Sequence, residues 1–189
     1  MQGYINKFFK LSRWLLLTIS ISLLVLNFAG VDVKAAIGVG APRNVTRYGS
    51  ATSPILSAVA VPENQAYFWT SGTVPPVIDP NAPTGTRDRY GDTKTQAIGT
   101  ITRIQTLLTD AGLSLDDVVY LRVYLVADPA LNNKVDYQGW FDAYAQFFNT
   151  ASVPKVARST LAVAGLVDPG WLIEIEAVAV YPKRSDRSW

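Results

Sequence analysis

Residues Leu172-Ile173-Glu174-Ile175-Glu176-Ala177-Val178-Ala179-Val180 constrain the fold of this chain more than any other stretch. The run is rich in β-branched residues and long enough for a central strand. A strand projects successive side chains to opposite faces. Glu174 and Glu176 must therefore share one face with Val178 and Val180, while Ile173, Ile175 and Ala177 point the other way. Carboxylates inside so apolar a strand are costly unless they are paired or wet. The adjoining strand-like segment Ala157-Arg158-Ser159-Thr160-Leu161-Ala162-Val163 supplies Arg158 as the candidate partner. Its planar guanidinium is also the group best shaped to grip a ligand carboxylate through two parallel hydrogen bonds.

The chain has 189 residues, 49% of them hydrophobic, enough for one well-filled domain. It contains no cysteine and no histidine. Disulfides, thiolate nucleophiles and imidazole chemistry are thereby excluded, as are the usual zinc and haem ligands. Chemistry is left to carboxylates, arginine, lysine, hydroxyls, backbone groups and water, with no cofactor and no metal expected. The formal charge of +2 divides unevenly. Residues 1–35 carry Lys7, Lys10, Arg13 and Lys34 against Asp32, and the remainder is close to neutral. Such a domain has no electrostatic footprint for a phosphate backbone, so no nucleic-acid partner is expected.

Lys7, Lys10 and Arg13 precede an apolar run from Trp14 to Phe28, followed by Val33-Lys34-Ala35-Ala36. A basic start, an apolar core and small residues before a cut describe a secretory signal. Residues 1–35 are read as a signal peptide cleaved after Ala35, or as a retained membrane anchor. Either places the domain outside, in the periplasm or beyond it, and the membrane is touched only through this leader. Residues 36–45 read as a tether, 46–182 as the folded domain and 183–189 as a polar tail.

Within the domain, Val45–Tyr48, Ile55–Val61 and Ala66–Thr70 read as strands, with Pro62-Glu63-Asn64-Gln65 as a hairpin turn between the last two. Residues 74–91 hold four prolines and two glycines and read as a long functional loop. Asp92 is a helix N-cap, Ala97, Ile101, Ile104, Leu108 and Ala111 recur at helical spacing, and Gly112 ends the helix. Val118–Val126 reads as a strong strand and Tyr137–Phe148 as a second helix, whose aromatic residues read as core packing. Arg122, on the face of Tyr120 and Tyr124, reads as packing or an interface charge. The order β-β-β-α-β-α-β-β predicts an α+β sandwich with two helices covering one face of a mixed sheet.

Five short segments then converge on one family. They are Trp69-Thr70-Ser71-Gly72, Ala111-Gly112-Leu113-Ser114-Leu115-Asp116-Asp117-Val118-Val119, Tyr144-Ala145-Gln146-Phe147-Phe148, Pro154-Lys155-Val156-Ala157-Arg158-Ser159, and Ile173-Glu174-Ile175-Glu176-Ala177-Val178-Ala179. In order and spacing, over about residues 46 to 182, they resemble the Rid (reactive intermediate deaminase) family. It is also called the YjgF family and, in older naming, endoribonuclease L-PSP. The resemblance implies a chorismate-mutase-like fold, assembled as a homotrimer around a central barrel with ligand clefts between subunits. It implies that Arg158 holds a substrate carboxylate and that Glu174 orients the attacking water. Ser71, Gly72 and the backbone at Thr160 would line the cleft. The implied reaction is metal-free hydrolysis of 2-imino or 2-enamino acids to 2-oxo acids and ammonia. Three positions depart from the common pattern: Ile55 replaces a tyrosine, Phe141 an asparagine, and Thr160 a frequent cysteine. The alternative function is a non-catalytic trimeric module binding small carboxylates. A ribonuclease or translation inhibitor, the reading of the older name, is disfavoured by charge and by the lack of histidine.

Overall fold

A computed structural model of the chain describes residues 42–182. The leader, most of the tether and the polar tail lie outside the described residues. The segments are β1 (Thr46–Tyr48), β2 (Ala58–Ala60), β3 (Tyr67–Trp69), α1 (Thr93–Asp110), β4 (Val118–Leu125), β5 (Ala127–Asp128), β6 (Lys134–Val135), α2 (Tyr137–Phe147), β7 (Ala157–Ala162) and β8 (Ile173–Val180). The main sheet has the order β3-β8-β4-β7. β8 runs antiparallel to both its neighbours, and β4 and β7 are parallel. This is the mixed sheet expected from the sequence.

α1 begins at the cap expected from the sequence, and α2 begins at a cap of the same kind. The Asp92 carboxylate accepts from the Thr95 amide at 2.8 Å, and Asp136 accepts from the Gly139 amide at 2.8 Å. Each satisfies an amide that the first helical turn leaves unpaired. α1 stops because Gly112 turns to φ +74°, which lets the Leu113 amide reach back to the Leu108 carbonyl at 2.8 Å.

The two helices cover the sheet face formed by Leu121, Val123 and Leu125 of β4 and Ile173, Ile175, Ala177 and Ala179 of β8. Ala97, Ile101, Ile104 and Leu108 of α1 and Trp140, Ala143 and Tyr144 of α2 complete this buried cluster. The opposite face is covered only at one end. There the β1–β2 ribbon lays Val45, Val59 and Val61 on Val119, Val178 and Val180. Trp69 and Leu161 remain exposed, at 65% and 46%. Glu174 and Glu176 share this second face with Val178 and Val180, as the alternation requires.

Two expectations are corrected. Pro62–Gln65 does not close a hairpin: β2 pairs with β1, and β3 pairs with β8. The second strand is also shorter than Ile55–Val61, with Leu56 making only an isolated bridge to Ala157. The long loop is tied down at several points. Arg87 donates to the fully buried Asp128 carboxylate at 2.8 Å, and Tyr90 donates to Asp168 at 2.7 Å. No helix among the described residues is long and apolar enough to cross a membrane.

Candidate functional site

Arg158 occupies the second position of β7. In the parallel register it pairs with Leu121, whose side chain lies on the helix-covered face. Its guanidinium therefore turns toward α2, not toward the glutamates. There it lies 4.2 Å from the ring centre of Tyr144, 4.9 Å from that of Phe141 and 5.2 Å from that of Trp140. Positions 140, 141 and 144 reach one patch because residues one helical turn apart share a face. Ring faces attract cations, so the three rings hold the guanidinium in place.

The same helix also fixes the strand that carries Arg158. The Tyr144 hydroxyl accepts from the Val156 amide at 3.1 Å, two residues before Arg158. Trp140 donates from Nε1 to the Thr160 hydroxyl at 3.3 Å, two residues after it. On the far side, Lys155 donates to the carbonyls of Ser50 and Ser53 at 2.6 and 2.8 Å, which pins the loop leading to Ile55. Between these elements opens a cavity of about 410 Å³ lined by Ser53, Pro54, Ile55, Phe141, Tyr144, Ala145, Phe148, Asn149 and Arg158.

Inside this cavity wall the electrostatics are one-sided. The Arg158 Nη1 is buried and has no hydrogen-bond partner among the described residues. Burial pushes the guanidinium below its ordinary pKa, partly offset by the nearby Tyr144 hydroxyl. An arginine remains charged under such a shift. A buried, charged donor without an acceptor is costly, and an incoming carboxylate would satisfy it.

Glu174 lies elsewhere. It faces Tyr124 across the β4–β8 pairing, on the sheet face turned away from both helices. The segment after β3 runs beside it. Thr73 exchanges two backbone hydrogen bonds with Ile175, at 2.9 and 3.0 Å, and the Thr70 amide donates to the Ala177 carbonyl at 3.0 Å. Between them Gly72 presses so closely on the Glu174 carboxylate that a Cβ at position 72 would collide with Oε1. Ser71 and Gly72 also line a second cleft of about 350 Å³, together with Thr73, Val74, Arg103, Thr106 and Leu107. Arg103 donates to the Val74 carbonyl at 2.9 Å and so closes one wall.

The predicted site residues therefore fall into two groups. Arg158 and Thr160 are brought together on the helix-covered face, and Ser71, Gly72 and Glu174 on the other. The expected pairing of Arg158 with a glutamate of β8 is overturned. Arg122 holds Glu176 at 2.5 Å, and Tyr124 donates to the same carboxylate at 3.1 Å. No ion pair among the described residues uses Glu174. Sequence reasoning missed the second role of Trp140 and Tyr144, which pack in the core as expected yet also cradle a cation, and it misplaced Phe141, which is 39% exposed and lines the cavity instead of the core. Their spacing on one helical face was the available signal. Among the described residues no cluster of acidic side chains could hold a metal ion.

A four-stranded mixed sheet with two helices on one face is the α+β fold of YjgF-type proteins. Residues 50–181 match the sequence model of the family described as endoribonuclease L-PSP, and the chain belongs to that Rid/YjgF family. Among solved structures it is similar to YyfB from Yersinia pestis, a Rid-family protein of unknown function. The two share 24% identity and a TM-score of 0.53, over 73% of this chain and 99% of that one, and they have the same fold. It is also similar to TdcF from E. coli, solved with bound serine, at 26% identity over 75% of this chain and 100% of the other, with a TM-score of 0.49. A putative endoribonuclease from Thermotoga maritima is 26% identical over 75% of this chain and 99% of its own length, with a TM-score of 0.46.

Proposed function

We propose that this protein hydrolyses 2-imino or 2-enamino acids to 2-oxo acids and ammonia, at clefts formed between copies in a homotrimer. The observation that carries the reading is the Arg158 guanidinium, held among three aromatic rings with a buried Nη1 that lacks a partner among the described residues. That arrangement suits the carboxylate of a small acid. The separation of Arg158 from Glu174 by the thickness of one sheet supports a shared cleft, because one copy does not bring the two groups together. A second copy placing its Ser71–Gly72–Glu174 surface over the Arg158 cavity would do so.

In this mechanism Arg158 binds the substrate carboxylate and fixes C2. Glu174 of the adjoining copy takes a proton from water as the water oxygen bonds to C2, and the C=N electron pair moves to nitrogen. Glu174 then returns the proton to that nitrogen. Glu174 next takes the hydroxyl proton and passes it to the amino nitrogen, so that the C–N bond breaks, ammonia leaves with three protons and the C2 oxygen becomes the 2-oxo group. Positioning and charge pairing provide the acceleration, and no metal is required.

The test generates imines with an amino-acid oxidase and follows 2-oxo acid release above the spontaneous rate, beside sedimentation of the same sample. A concentration-independent monomer that nevertheless accelerates release would remove the shared cleft. A second reading, a non-catalytic carboxylate-binding module, is favoured by the apolar side chains of Ile55 and Phe141 in the cavity wall. It predicts 2-oxo acid binding with no acceleration. We also propose that residues 1–35 direct the domain out of the cytoplasm. Recovery of the uncut chain from the cytosolic fraction would contradict that.

A further inference from the structure

We propose that the Arg158 cavity selects 2-imino acids with branched or aromatic hydrocarbon side chains over those with small or polar ones, an inference that rests on the imine-hydrolysis reading for its chemistry. The cavity holds about 410 Å³, within the range of about 300–1,000 Å³ typical of small-molecule sites. Its wall next to the guanidinium consists of Pro54, Ile55, Phe141, Tyr144, Ala145 and Phe148.

The polar groups of that wall are largely committed. The Ser53 hydroxyl donates to the Ile55 carbonyl at 2.8 Å, and the Tyr144 hydroxyl accepts from the Val156 amide. Asn149 sits on the exposed rim. Among the described residues Arg158 Nη1 is buried without a partner, with the Tyr144 O–H beside it, and a carboxylate bound there leaves the substituent on C2 only a few bonds away, against the apolar side chains. A hydrocarbon substituent would displace water from apolar walls. A hydroxyl or second carboxylate would exchange water for surfaces that offer it nothing.

Each buried methylene is worth about fourfold in affinity. Replacing a methyl by an isobutyl group projects roughly 60-fold at full burial, and about tenfold where the rim keeps part of the group wet. The experiment measures dissociation constants of pyruvate, 4-methyl-2-oxopentanoate and phenylpyruvate by titration calorimetry. Beside it runs turnover of imines generated from alanine and leucine. The expected result is binding of the two larger acids about tenfold or more tighter than pyruvate, with the same ranking in turnover. Ile55→Asn should shrink the ratio to about threefold or less by wetting the wall. If that variant does not fold, Phe141→Asn on the half-open rim reads the same ratio. Pyruvate binding as tightly as the larger acids would overturn the proposal, and so would a ratio unmoved in a folded variant. If the ranking holds in binding while no imine is accelerated, the selectivity stands and the hydrolysis reading falls.

Discussion

Replacing Arg158 by methionine separates a functional arginine from a structural one, because the two roles predict opposite stability changes. In the free protein, the unpartnered Nη1 is a penalty of about 1–3 kcal/mol for a buried unsatisfied donor. Against it stand the ring contacts at 4.2–5.2 Å, which together contribute about 1–2 kcal/mol. A methionine keeps apolar contact with those rings and has nothing to leave unpaired. The ligand-free variant should therefore unfold within about 1 kcal/mol of the parent, or slightly above it. Ligand affinity should behave differently. Losing one partner of a desolvated charge pair costs about 2–5 kcal/mol, which corresponds to roughly 30- to several-thousand-fold in the 2-oxo acid dissociation constant. Arg87→Met provides the contrast. It strands the Asp128 carboxylate, whose side chain is 0% exposed, and should lose about 3–5 kcal/mol. Urea denaturation and calorimetric titration of both variants read the two quantities. A loss above about 2 kcal/mol in Arg158→Met, with ligand affinity kept, would show that Arg158 is there to hold the fold.

Three further outcomes are expected. Glu174→Gln should lower kcat by about 10²–10⁴ while leaving the 2-oxo acid dissociation constant within about threefold, and Glu176→Gln should leave kcat within about twofold; steady-state kinetics with both variants decides this. Gly72→Ala should reduce turnover by about tenfold with little change in melting temperature, because the added methyl displaces the mobile end of Glu174 and not the backbone. Gln96→Leu should cost about 3 kcal/mol or more in urea denaturation: it abandons the carbonyls of Gly91 and Gly170 and the amide of Leu172, all bonded to one buried side chain.

Both helices, their caps at Asp92 and Gly112, and the alternation of β8 were readable because each follows from local periodicity and backbone geometry. The partner of Arg158 was not. Alternation fixes which residues of one strand share a face, but not how the faces of two strands correspond when a third lies between them. Here β4 stands between β7 and β8, and its registers put Arg158 level with Leu121 but Glu174 level with Tyr124. The misread hairpin has a similar origin. Pro62–Gln65 has turn composition, yet the hydrogen-bond partners of β2 and β3 come from opposite ends of the domain sequence. Loop chemistry cannot announce such pairings. Of the aromatic side chains of α2, Trp140 and Tyr144 were correctly read as packing, and Phe141 was not. That they also carry a cation depended on β7 arriving beside them.

If clefts form between copies as proposed, the sheet that keeps Arg158 and Glu174 apart would make defects in one chain repairable by another. On the proposed assembly, every cleft takes its arginine from one copy and its glutamate from the next. A chain lacking only the arginine and a chain lacking only the glutamate would each form rings without a working cleft. Co-assembled in equal amounts, they would regenerate about one quarter of the clefts intact, whatever the number of subunits in the ring. On that assembly two damaged alleles would restore part of an activity that neither possesses, because the functioning unit would be the seam and not the subunit.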